Sequence, residues 1–359
     1  MKVIGVMSGS SLDGVDLACV SFHRQGEHWK YELLAFETIA YDEAMHKILK
    51  EAMHQDAEHL ARWHAGYGHV LGEMIRGFVK RFDLQADLIV SHGHTIFHQP
   101  HHGFTYQLGD GAAIYAETGI PVVCDMRSVD VALGGQGAPL VPVGERDLFP
   151  EYGIFLNLGG IANISTFSKK NTIRAYDISP CNLPLNILCE KYLGRAFDEN
   201  GVAASQGKVS SGLLKKLEAL EYFHHKPPKT LGREFIEKEY LKIVEGTKLR
   251  VEDKLCTVTH HIAGCIAGAI DSAKEKARSH AVMVTGGGVY NSFLLSLIKE
   301  QAHAELHIPT REMIEFKEAI IFAYLGMLRV NNEENTLSSV TQANRNSIGG
   351  AYYGPVLRK

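Results

Sequence analysis

The feature that most constrains the fold is a pattern of strand, glycine-rich turn and strand that occurs twice. Residues 3–7 and 15–22 are apolar and β-branched, and they flank residues 8–14, which are almost entirely Gly, Ser and Asp. Residues 154–157 and 162–167 repeat this arrangement around a Gly-Gly turn. A third strand is predicted after each copy. Because the copies lie about one domain length apart, they predict two domains of one topology rather than a solenoid, whose period is far shorter.

The rest of the chain alternates between strand and helix patterns, which is typical of an α/β protein. The strongest helix pattern covers residues 57–82, where apolar side chains recur at a spacing of three and four. A polar stretch, residues 331–346, is expected to be a surface loop. Further strands are predicted at 31–39, 87–91, 121–124, 172–176 and 281–285, and further helices at 111–118, 183–193, 211–220, 233–246, 251–277, 291–301 and 311–329.

Length and composition predict a soluble protein of two domains. The chain has 359 residues, of which 45% are hydrophobic, and a formal net charge of -4. This slight acidity, without any run of basic residues, argues against a nucleic-acid-binding groove. Six scattered cysteines without a CxxC pair indicate reduced thiols, and no apolar segment is long enough to cross a membrane. We therefore expect a cytoplasmic protein that binds neither nucleic acid nor membrane.

Three glycine-rich turns, each directly after an apolar strand, indicate a nucleotide-binding site. They cover residues 8–14, 158–161 and 286–288. Glycine lets the main chain approach phosphates and sugars closely, although the first turn alone could equally be a hairpin with Asp13-Gly14 as its turn. The sequence has neither a Walker A motif nor a GxGxxG that opens a helix, which argues against P-loop and Rossmann proteins.

This layout resembles the superfamily of acetate and sugar kinases, Hsp70 and actin. The resemblance implies an α/β fold of two duplicated domains of the actin-like ATPase (ribonuclease H-like) type, with an ATP cleft between them. We expect an N-terminal domain of residues 1–125 plus 333–359 and a C-terminal domain of residues 126–332. Two phosphate loops and an adenosine loop would bind ATP through Gly9, Ser10, Ser11, Leu12, Asp13, Gly14, Val15, Asp16, Asn157, Gly159, Gly160, Asn163, Gly286, Gly287, Gly288 and Asn291.

Seven segments narrow the resemblance to the anhydro-N-acetylmuramic acid kinase family. Members of that family use ATP and water to open 1,6-anhydro-N-acetylmuramic acid, a sugar from recycled cell-wall peptidoglycan, and to phosphorylate its O6. The product is N-acetylmuramate 6-phosphate. The resemblance also implies Mg²⁺ as a cofactor and a homodimer. The segments occur in the family's order over nearly the whole chain: MSGSSLDGVD, SHGHT, VALGGQGAPLVP, LNLGGIANIS, PPKTLGRE, TGGGVYN and KEAIIFAYLG.

Asp177 is the predicted catalytic base. Water that attacks the anomeric carbon needs a carboxylate to accept its proton, whereas the departing O6 needs no acid because the phosphoryl group takes the place of a proton. Asp177 ends a predicted strand, and the resemblance makes it the base, since the family's D-T-G-P pattern carries the proposed base at this position. Ile178, Ser179 and Cys181 depart from the family's sequence there. The alternative is an aspartate that only caps the following helix.

Five residues are predicted to bind the sugar: His92, Thr95, Arg127, Asp130 and Glu318. Arg127 follows a strand and suits the lactyl carboxylate of muramate, but Arg127 and Asp130 could also form an ordinary surface ion pair. Glu318 begins an apolar helix face, where the resemblance makes it a ligand of sugar hydroxyls. The helix dipole alone would also favour an acid at that position. His92 and Thr95 would line the same pocket.

Metal binding leaves two alternatives open. Many superfamily members carry an acid at the end of the first strand, but Met7 stands there in this chain. Asp13 is therefore the candidate ligand for Mg²⁺, or the metal is held mainly by phosphates and water. The histidines of SHGHTIFHQPHH could instead bind zinc, although the family usually has Gln at the position of His94. That cluster comprises His92, His94, His98, His101 and His102.

Two other functions explain parts of the sequence. A different sugar or carboxylate kinase of the superfamily would account for the three glycine-rich turns, but it leaves LGGQGAP and PPKTLGRE without a purpose. A non-catalytic, ATP-switched protein of the actin or Hsp70 kind would bind ATP without turning over a sugar. Turnover of the anhydro sugar distinguishes the predicted kinase from both.

Overall fold

The computed structural model describes residues 1–9, 12, 14–26, 28–170, 172–227 and 229–355. The chain divides into two compact units, Met1–Pro150 with Glu315–Lys359, and Glu151–Ile314. We call them the first and the second unit. Ser10, Ser11 and Asp13, which the sequence assigns to ATP or metal binding, lie outside the described residues.

Strands and helices alternate through both units. The strands are β1 Lys2–Ser8, β2 Gly14–Gln25, β3 His28–Ala40, β4 Leu88–Ser91, β5 His94–Gln99, β6 Phe104–Leu108, β7 Val122–Cys124, β8 Ile154–Leu158, β9 Ile161–Phe167, β10 Ile173–Pro180, β11 Val282–Thr285, β12 Leu306–His307 and β13 Ala351–Tyr353. The helices are α1 Glu43–Glu51, α2 Ala57–Arg81, α3 Gly111–Thr118, α4 Ser128–Ala132, α5 Val141–Leu148, α6 Asn182–Leu193, α7 Val202–Ser205, α8 Ser211–Glu218, α9 Glu221–His224, α10 Arg233–Phe235, α11 Leu241–Glu245, α12 Val251–Lys274, α13 Ser292–Ala302, α14 Arg311–Val330 and α15 Ser338–Thr341.

The first unit is built on a six-stranded sheet in the order β13-β7-β4-β1-β2-β3. Strands β1, β2 and β3 form an antiparallel meander, whereas β4 runs parallel to β1 and β7 parallel to β4. Strands β5 and β6 form a separate hairpin. Helix α2 begins after Asp56, whose side chain accepts a hydrogen bond from the backbone N–H of His59. Its apolar face packs in the core of the unit with Tyr67, Leu71, Ile75 and Phe78 fully or almost fully buried.

The second unit repeats this topology with a sheet in the order β10-β9-β8-β11-β12. Strands β8, β9 and β10 form an antiparallel meander, β11 runs parallel to β8, and β12 runs parallel to β11. This order matches β3-β2-β1-β4-β7 of the first unit strand for strand. The predicted α/β fold of two duplicated actin-like (ribonuclease H-like) domains is confirmed.

The helices of the second unit follow the sequence with one interruption. Helix α12 is the central one, with Val258, Ile262, Ile266 and Ile270 fully buried in the core of the unit. The helix predicted over residues 233–246 is divided by a π-helical turn at Ile236–Tyr240. A turn of this kind is not visible in the three-and-four spacing, because its apolar residues Ile236, Tyr240 and Val244 keep helical intervals.

The division into units differs from the boundaries expected after residues 125 and 332. The reason is packing within the first unit. A Cβ atom at Gly5 of β1 would lie 1.9 Å from the carbonyl oxygen of Ala319, so α14 lies directly on the sheet. A Cβ atom at Gly144 of α5 would lie 2.7 Å from the side chain of Ile321 on α14. All of α5 and most of α14 therefore belong to the first unit.

The expectation of a surface loop over residues 331–346 was wrong. Asn335 and Thr336 are 1% exposed and Thr341 is 0% exposed. The Asn335 amide donates to the carbonyl oxygens of Leu325 (3.1 Å) and Gly349 (2.9 Å). These polar side chains are buried because they satisfy backbone groups inside the unit, and polarity alone does not distinguish that use from solvent exposure.

Two expectations from composition can be compared with the structure. All six cysteines are free, as their scattered positions predicted. None of the helices that the structure describes combines the length and the apolar character needed to span a bilayer.

Candidate active site

A row of polar side chains crosses the sheet of the second unit at one register level. Asp177 on β10 pairs with Asn163 on β9, Asn163 pairs with Asn157 on β8, and Asn157 pairs with Thr285 on β11. Directly paired residues on neighbouring strands point to the same face of a sheet. The fold therefore brings the predicted base beside two asparagines that were predicted to bind ATP. Asp177, Asn163 and Asn157 are half-buried, which leaves them partly open to solvent.

Asp177 is held by residues 229–231 and by Tyr222. Its N–H donates to the carbonyl oxygen of Lys229 (3.0 Å), and the N–H of Leu231 donates to Asp177 Oδ2 (2.8 Å). The Tyr222 hydroxyl donates to the carbonyl oxygen of Asp177 (2.5 Å). Oδ1 receives no hydrogen bond from any residue that the structure describes. One carboxylate oxygen is thus fixed and the other is available to a water molecule.

The surroundings of Asp177 suit a proton acceptor. Burial raises the pKa of Asp177 above its ordinary value, and the Leu231 N–H opposes this rise because it favours the charged carboxylate. A carboxylate with a raised pKa is a stronger base than one in bulk water. The site therefore combines a fixed orientation with increased basicity.

The alternative reading of Asp177 as a helix cap was wrong. Helix α6 begins at Asn182, its N-cap residue is Cys181, and no side chain caps it. Strand β10 instead continues past Asp177 to Pro180, with a bulge between Asp177 and Ser179. Bulges are frequent next to active sites because they redirect a side chain. Ile178, the residue in the bulge, is 4% exposed and packs in the core, which explains an apolar residue there.

Tyr222, Lys229 and Leu231 were missed by the sequence analysis. Lys229 and Leu231 belong to PPKTLGRE, a segment that carried the family resemblance but received no role. The contacts with Asp177 span 45 residues for Tyr222 and 54 for Leu231. Only tertiary pairing creates them. The one sequence signal that could have indicated these contacts was PPKTLGRE, a segment typical of the family to which no function had been assigned.

The glycines of the second and third turns fall into two groups. Gly286 and Gly288 pack against β8, where an added Cβ atom would come within 2.6 Å of protein atoms. Gly159, Gly160 and Gly287 are different, because a Cβ atom there would meet no described atom closer than 3.4 Å. Protein packing explains the first group. The second group leaves open space beside the backbone, which is what close approach of a ligand requires.

Asn291 of the third turn has a structural role. Its Oδ1 accepts a hydrogen bond from the N–H of Leu294 (3.0 Å) and so caps α13. A Cβ atom at Gly201, which has a φ of 71°, would lie 2.4 Å from the same oxygen. The segment around Gly201 therefore lies against the predicted adenosine loop, a proximity that the sequence did not indicate. Binding of ATP by Asn291 stays a prediction.

The described part of the first turn is shaped by the sheet. A Cβ atom at Gly14 would lie 2.4 Å from the carbonyl oxygen of Ile39 on β3, so strand packing requires that glycine. Val15 is fully buried in the core, and Leu12 packs against the core with a left-handed φ of 61°. These side chains pack in the first unit, and binding of ATP by Leu12 and Val15 stays a prediction. Phosphate binding by the backbone of Gly9 and its neighbours stays a prediction.

The described residues contain no group of three or more His, Cys, Asp or Glu side chains that could hold a metal ion. Asp16 pairs with Met7 in the sheet, and its Oδ1 accepts from the Thr38 hydroxyl (2.6 Å). The histidines of the predicted cluster have separate partners: His94 Nδ1 lies 3.4 Å from Ser8 Oγ, and His98 Nδ1 lies 3.1 Å from the Thr105 hydroxyl. The zinc alternative therefore has no ligand group in this part of the chain.

In the first unit, the half-buried Arg127 forms a pair with the buried His92. His92 Nδ1 donates to the carbonyl oxygen of Gly93 (2.7 Å), so Nε2 accepts from Arg127 Nε (3.0 Å) and Nη2 (2.8 Å). Burial, reinforced by the Arg127 charge, lowers the pKa of His92 to about 3. Burial lowers the pKa of Arg127 to about 10, although the charge of Glu318 opposes this. His92 is thus neutral and Arg127 charged at neutral pH.

Arg127 keeps donors for a ligand. Its Nη1 donates to the carbonyl oxygen of Gly137 (2.6 Å). Together with the two contacts to His92, the hydrogen bonds among described residues use three of the five N–H groups of a guanidinium. One N–H remains on each terminal nitrogen, and such a pair can bind a carboxylate with two parallel hydrogen bonds.

Asp130 is fully buried and its carboxylate is occupied by protein groups. Oδ2 accepts from the N–H of Gly137 (2.7 Å), and Oδ1 accepts from the Thr341 hydroxyl (2.7 Å). It is therefore no surface ion pair. The arrangement favours a role in holding the Gly137 loop, which in turn accepts from Arg127, and direct contact between Asp130 and a sugar stays a prediction.

Glu318 and Thr95 are the remaining predicted sugar ligands. Glu318, on α14, keeps contact with solvent. Desolvation by the surrounding protein raises the pKa of its carboxyl, while the charges of Lys317 and Arg127 oppose that rise. The half-buried Thr95 accepts from the amide of Gln107 on the paired strand (3.4 Å). The structure thus brings Glu318 close enough to Arg127 for their charges to interact.

Comparison with known proteins covers nearly the whole chain. The model of the family described as anhydro-N-acetylmuramic acid kinase matches residues 1–355. A protein of that name from Acinetobacter baylyi is 34% identical, with 95% of this chain and 96% of the relative covered. Another from Caldanaerobacter subterraneus is 34% identical, with 97% and 96% covered.

A solved structure with a related outline has little sequence in common with this chain. The activator of the 2-hydroxyisocaproyl-CoA dehydratase from Clostridium difficile is 13% identical, with 90% of this chain and 92% of that chain covered and a TM-score of 0.43. A likeness this distant carries no argument about function.

The full-length family match confirms the resemblance seen in the sequence motifs. The chain belongs to the anhydro-N-acetylmuramic acid kinase family and is therefore a kinase.

Proposed function

We propose that this chain uses ATP and water to convert 1,6-anhydro-N-acetylmuramic acid into N-acetylmuramate 6-phosphate. Family membership supports the substrate and the use of ATP. The observation in this chain that carries the proposal is Asp177, a half-buried carboxylate with one oxygen fixed by Leu231 and its pKa raised by burial. A kinase that transferred a phosphoryl group to a free hydroxyl would have no need to hydrolyse a ring. The predicted ring opening needs a base for water.

The proposed reaction balances without any further reactant. Asp177 accepts a proton from a water molecule, and the water oxygen forms a bond to the anomeric carbon. The bond between that carbon and O6 breaks, and its electron pair stays on O6. O6 forms a bond to the γ-phosphorus of ATP while the bond from that phosphorus to the bridging oxygen of ADP breaks. The products are the 6-phosphate and ADP, and the proton leaves Asp177 for solvent.

Positive charge and hydrogen-bond donors in the first unit suit the sugar. The lactyl group of muramate carries a carboxylate, and Arg127 keeps one N–H on each terminal nitrogen for such a group. His92 is neutral and orients the guanidinium. Glu318, exposed and close enough to Arg127 to interact with its charge, would accept hydrogen bonds from sugar hydroxyls. Thr95 would complete this group.

ATP and Mg²⁺ fit the chain to different degrees. The open space beside Gly159, Gly160 and Gly287 suits phosphates and ribose. No group of three acidic or metal-binding side chains exists among the described residues. Mg²⁺ would therefore be bound mainly by phosphates and water, as its reluctance to dehydrate allows, with Asp13 as the candidate protein ligand. Bound in this way, Mg²⁺ would neutralise charge on the transferred phosphoryl group. A homodimer and a cytoplasmic location are further expectations from the family.

The decisive experiment measures ADP release with and without the anhydro sugar in ¹⁸O-water, followed by mass spectrometry of the product. We expect sugar-dependent ADP release and a 6-phosphate that contains one ¹⁸O atom at the anomeric position. Asp177→Asn should slow both by about a hundredfold to ten-thousandfold. Asp253→Asn is the matched control, because Asp253 is also half-buried in the second unit and also accepts a backbone N–H, that of Lys208 (2.8 Å). If ADP forms while the sugar is recovered unchanged, the proposed substrate is wrong.

A further inference from the structure

Three hydroxyl groups form a closed triangle where the first glycine-rich turn begins. Ser8 Oγ lies 2.7 Å from the Tyr41 hydroxyl and 2.8 Å from the Tyr67 hydroxyl, and the two tyrosine hydroxyls lie 2.6 Å apart. Ser8 and Tyr67 are each 2% exposed. The ring of His94 extends the group, because its Nδ1 lies 3.4 Å from Ser8 Oγ. We call these four residues the hydroxyl cluster.

Burial of the hydroxyl cluster costs free energy of folding unless each hydroxyl has a hydrogen-bond partner. It lies among the apolar side chains of the first core, where a hydroxyl without a partner loses its hydration and gains nothing in return. In a triangle each O–H can donate once and each oxygen can accept once, so all three hydroxyls are satisfied together. The arrangement therefore selects one position for Ser8 Oγ relative to the two tyrosines.

The hydroxyl cluster fixes the start of the turn from three directions. Ser8 is the last residue of β1. Tyr41 follows β3, Tyr67 lies on α2, and His94 begins β5, at chain separations of 33, 59 and 86 residues from Ser8. The backbone of Gly9, the next residue of the turn, lies close enough to the His94 ring to raise its pKa, which opposes the lowering by burial. The exit of the chain from β1 is thus tied to a helix and to two other strands.

Nothing in the proposed mechanism uses this cluster. The Ser8 hydroxyl lies within hydrogen-bond distance of both tyrosine hydroxyls. Phosphoryl transfer depends mostly on positioning, and a displacement of about 1 Å can cost roughly a hundredfold in rate. A rigid attachment at the first residue of a phosphate-binding turn would supply that positioning.

We propose that Tyr41, Tyr67 and His94 are positioning residues that hold Ser8 and Gly9 where the backbone of Gly9 can bind the phosphates of ATP. The inference rests on the proposed use of this turn for ATP. It predicts that the cluster affects the affinity for ATP more than the affinity for the sugar.

The test compares Tyr67→Phe and Tyr41→Phe with the wild-type chain by titration calorimetry with Mg²⁺-ATP and by separate KM values for ATP and for the anhydro sugar. Loss of one buried hydroxyl should weaken ATP binding about fivefold to tenfold and raise the KM for ATP, with the KM for the sugar changed less than twofold. Tyr240→Phe is the matched control. Tyr240 is a fully buried tyrosine of the second unit whose hydroxyl lies 3.0 Å from His261 Nδ1.

A pair of substitutions at His94 separates hydrogen bonding from shape. His94→Gln keeps a donor and an acceptor and should retain nearly wild-type ATP affinity. His94→Leu keeps the volume but loses the hydrogen bonds, and it should weaken ATP binding as Tyr67→Phe does. If Tyr67→Phe does not fold, Tyr41→Phe and the His94 pair still decide the matter, because Tyr41 is only half-buried.

The outcomes distinguish this inference from the proposed function. A wild-type chain that binds no ATP would contradict the proposed function itself. Unchanged ATP affinity in Tyr41→Phe and His94→Leu, against tight binding by the wild type, would overturn the role of the cluster alone. Equal changes in both KM values, or a loss of ATP affinity in Tyr240→Phe as large as in Tyr67→Phe, would show a merely structural role and would also overturn it.

Discussion

Two aspartates, one in each unit, were predicted to act on the substrate, and the structure treats them differently. Asp130 is 0% exposed, and both of its carboxylate oxygens accept hydrogen bonds from protein groups. Asp177 is half-buried, and only its Oδ2 is bound by a described residue. A buried carboxylate whose two oxygens both accept hydrogen bonds from protein groups stabilises the fold. One with a free oxygen and a raised pKa keeps its chemistry available.

The comparison also shows how Asp130 can affect substrate binding without touching the substrate. Gly137 donates its N–H to Asp130 and accepts a hydrogen bond from Arg127 through its carbonyl oxygen. Asp130 thus fixes the residue that fixes Arg127. Asp177 has no such intermediary, because the proposed water would contact its carboxylate directly.

The largest expected difference is in turnover. Asp177→Asn should lower kcat for the anhydro sugar by about a hundredfold to ten-thousandfold, the usual contribution of a general base, whereas Asp130→Asn should lower it far less. Turnover assays at saturating sugar and ATP measure this. Similar losses of kcat in the two variants would contradict the distinction.

Asp177→Asn should also increase the free energy of unfolding at neutral pH. Burial raises the pKa of Asp177 in the folded state, so the folded protein binds this proton more tightly than the unfolded chain does. Stability therefore falls as the pH rises from the ordinary aspartate pKa through the raised one. Asp177→Asn removes this loss, and its advantage in the free energy of unfolding should be present at pH 7 and should shrink below the ordinary aspartate pKa. Urea unfolding at both pH values measures the difference.

Asp130 should show the opposite signature in stability. Asp130→Ala leaves the N–H of Gly137 and the hydroxyl of Thr341 without their buried acceptor, which should lower the free energy of unfolding by about 2–4 kcal/mol. Thr341→Val, which removes only one of these hydrogen bonds, should cost about half as much. Urea unfolding of both variants checks the values. A loss below about 0.5 kcal/mol in Asp130→Ala would show that its hydrogen bonds do not stabilise the unit.

Arg127→Lys tests whether Arg127, which Asp130 holds through Gly137, binds the carboxylate of the sugar. A lysine cannot contact His92 and Gly137 while presenting two parallel donors to a carboxylate. We expect the KM for the anhydro sugar to rise about tenfold to a hundredfold, with the KM for ATP little changed. Steady-state kinetics with each substrate varied in turn measures both. Equal effects on the two KM values would argue against binding of the lactyl carboxylate.

The smallest expected effect is a change in pH dependence. Because burial raises the pKa of Asp177, the acidic limb of the kcat/KM profile should lie above the range of an ordinary aspartate. Leu231→Pro removes the N–H that favours the ionised form and should move that limb to still higher pH. Leu231→Ala keeps the N–H and should leave the limb in place. A limb that moves equally in both variants would point to lost packing instead.

Regular elements and family segments were the part of this protein that sequence patterns predicted well. Apolar spacing located α2 within one residue at its end, and β-branched runs located β1, β2 and β8. These patterns are local, because a helix or strand repeats its buried face every few residues. Asp177 was predicted in the same way, from a short segment that resembles the family and from the need of attacking water for a base.

The sequence by itself determined the family and the duplicated α/β fold, and it predicted Asp177 as the catalytic base. Only the tertiary structure decided which polar residues are used inside the fold. Thr341 lies 211 residues from Asp130 and yet binds it, Leu231 lies 54 residues from Asp177, and the hydroxyl cluster joins four separate elements. The sequence alone does not distinguish a polar residue in a surface loop from one in a buried hydrogen-bond network. The difference arises from desolvation and from partners distant in the chain, which no local pattern records.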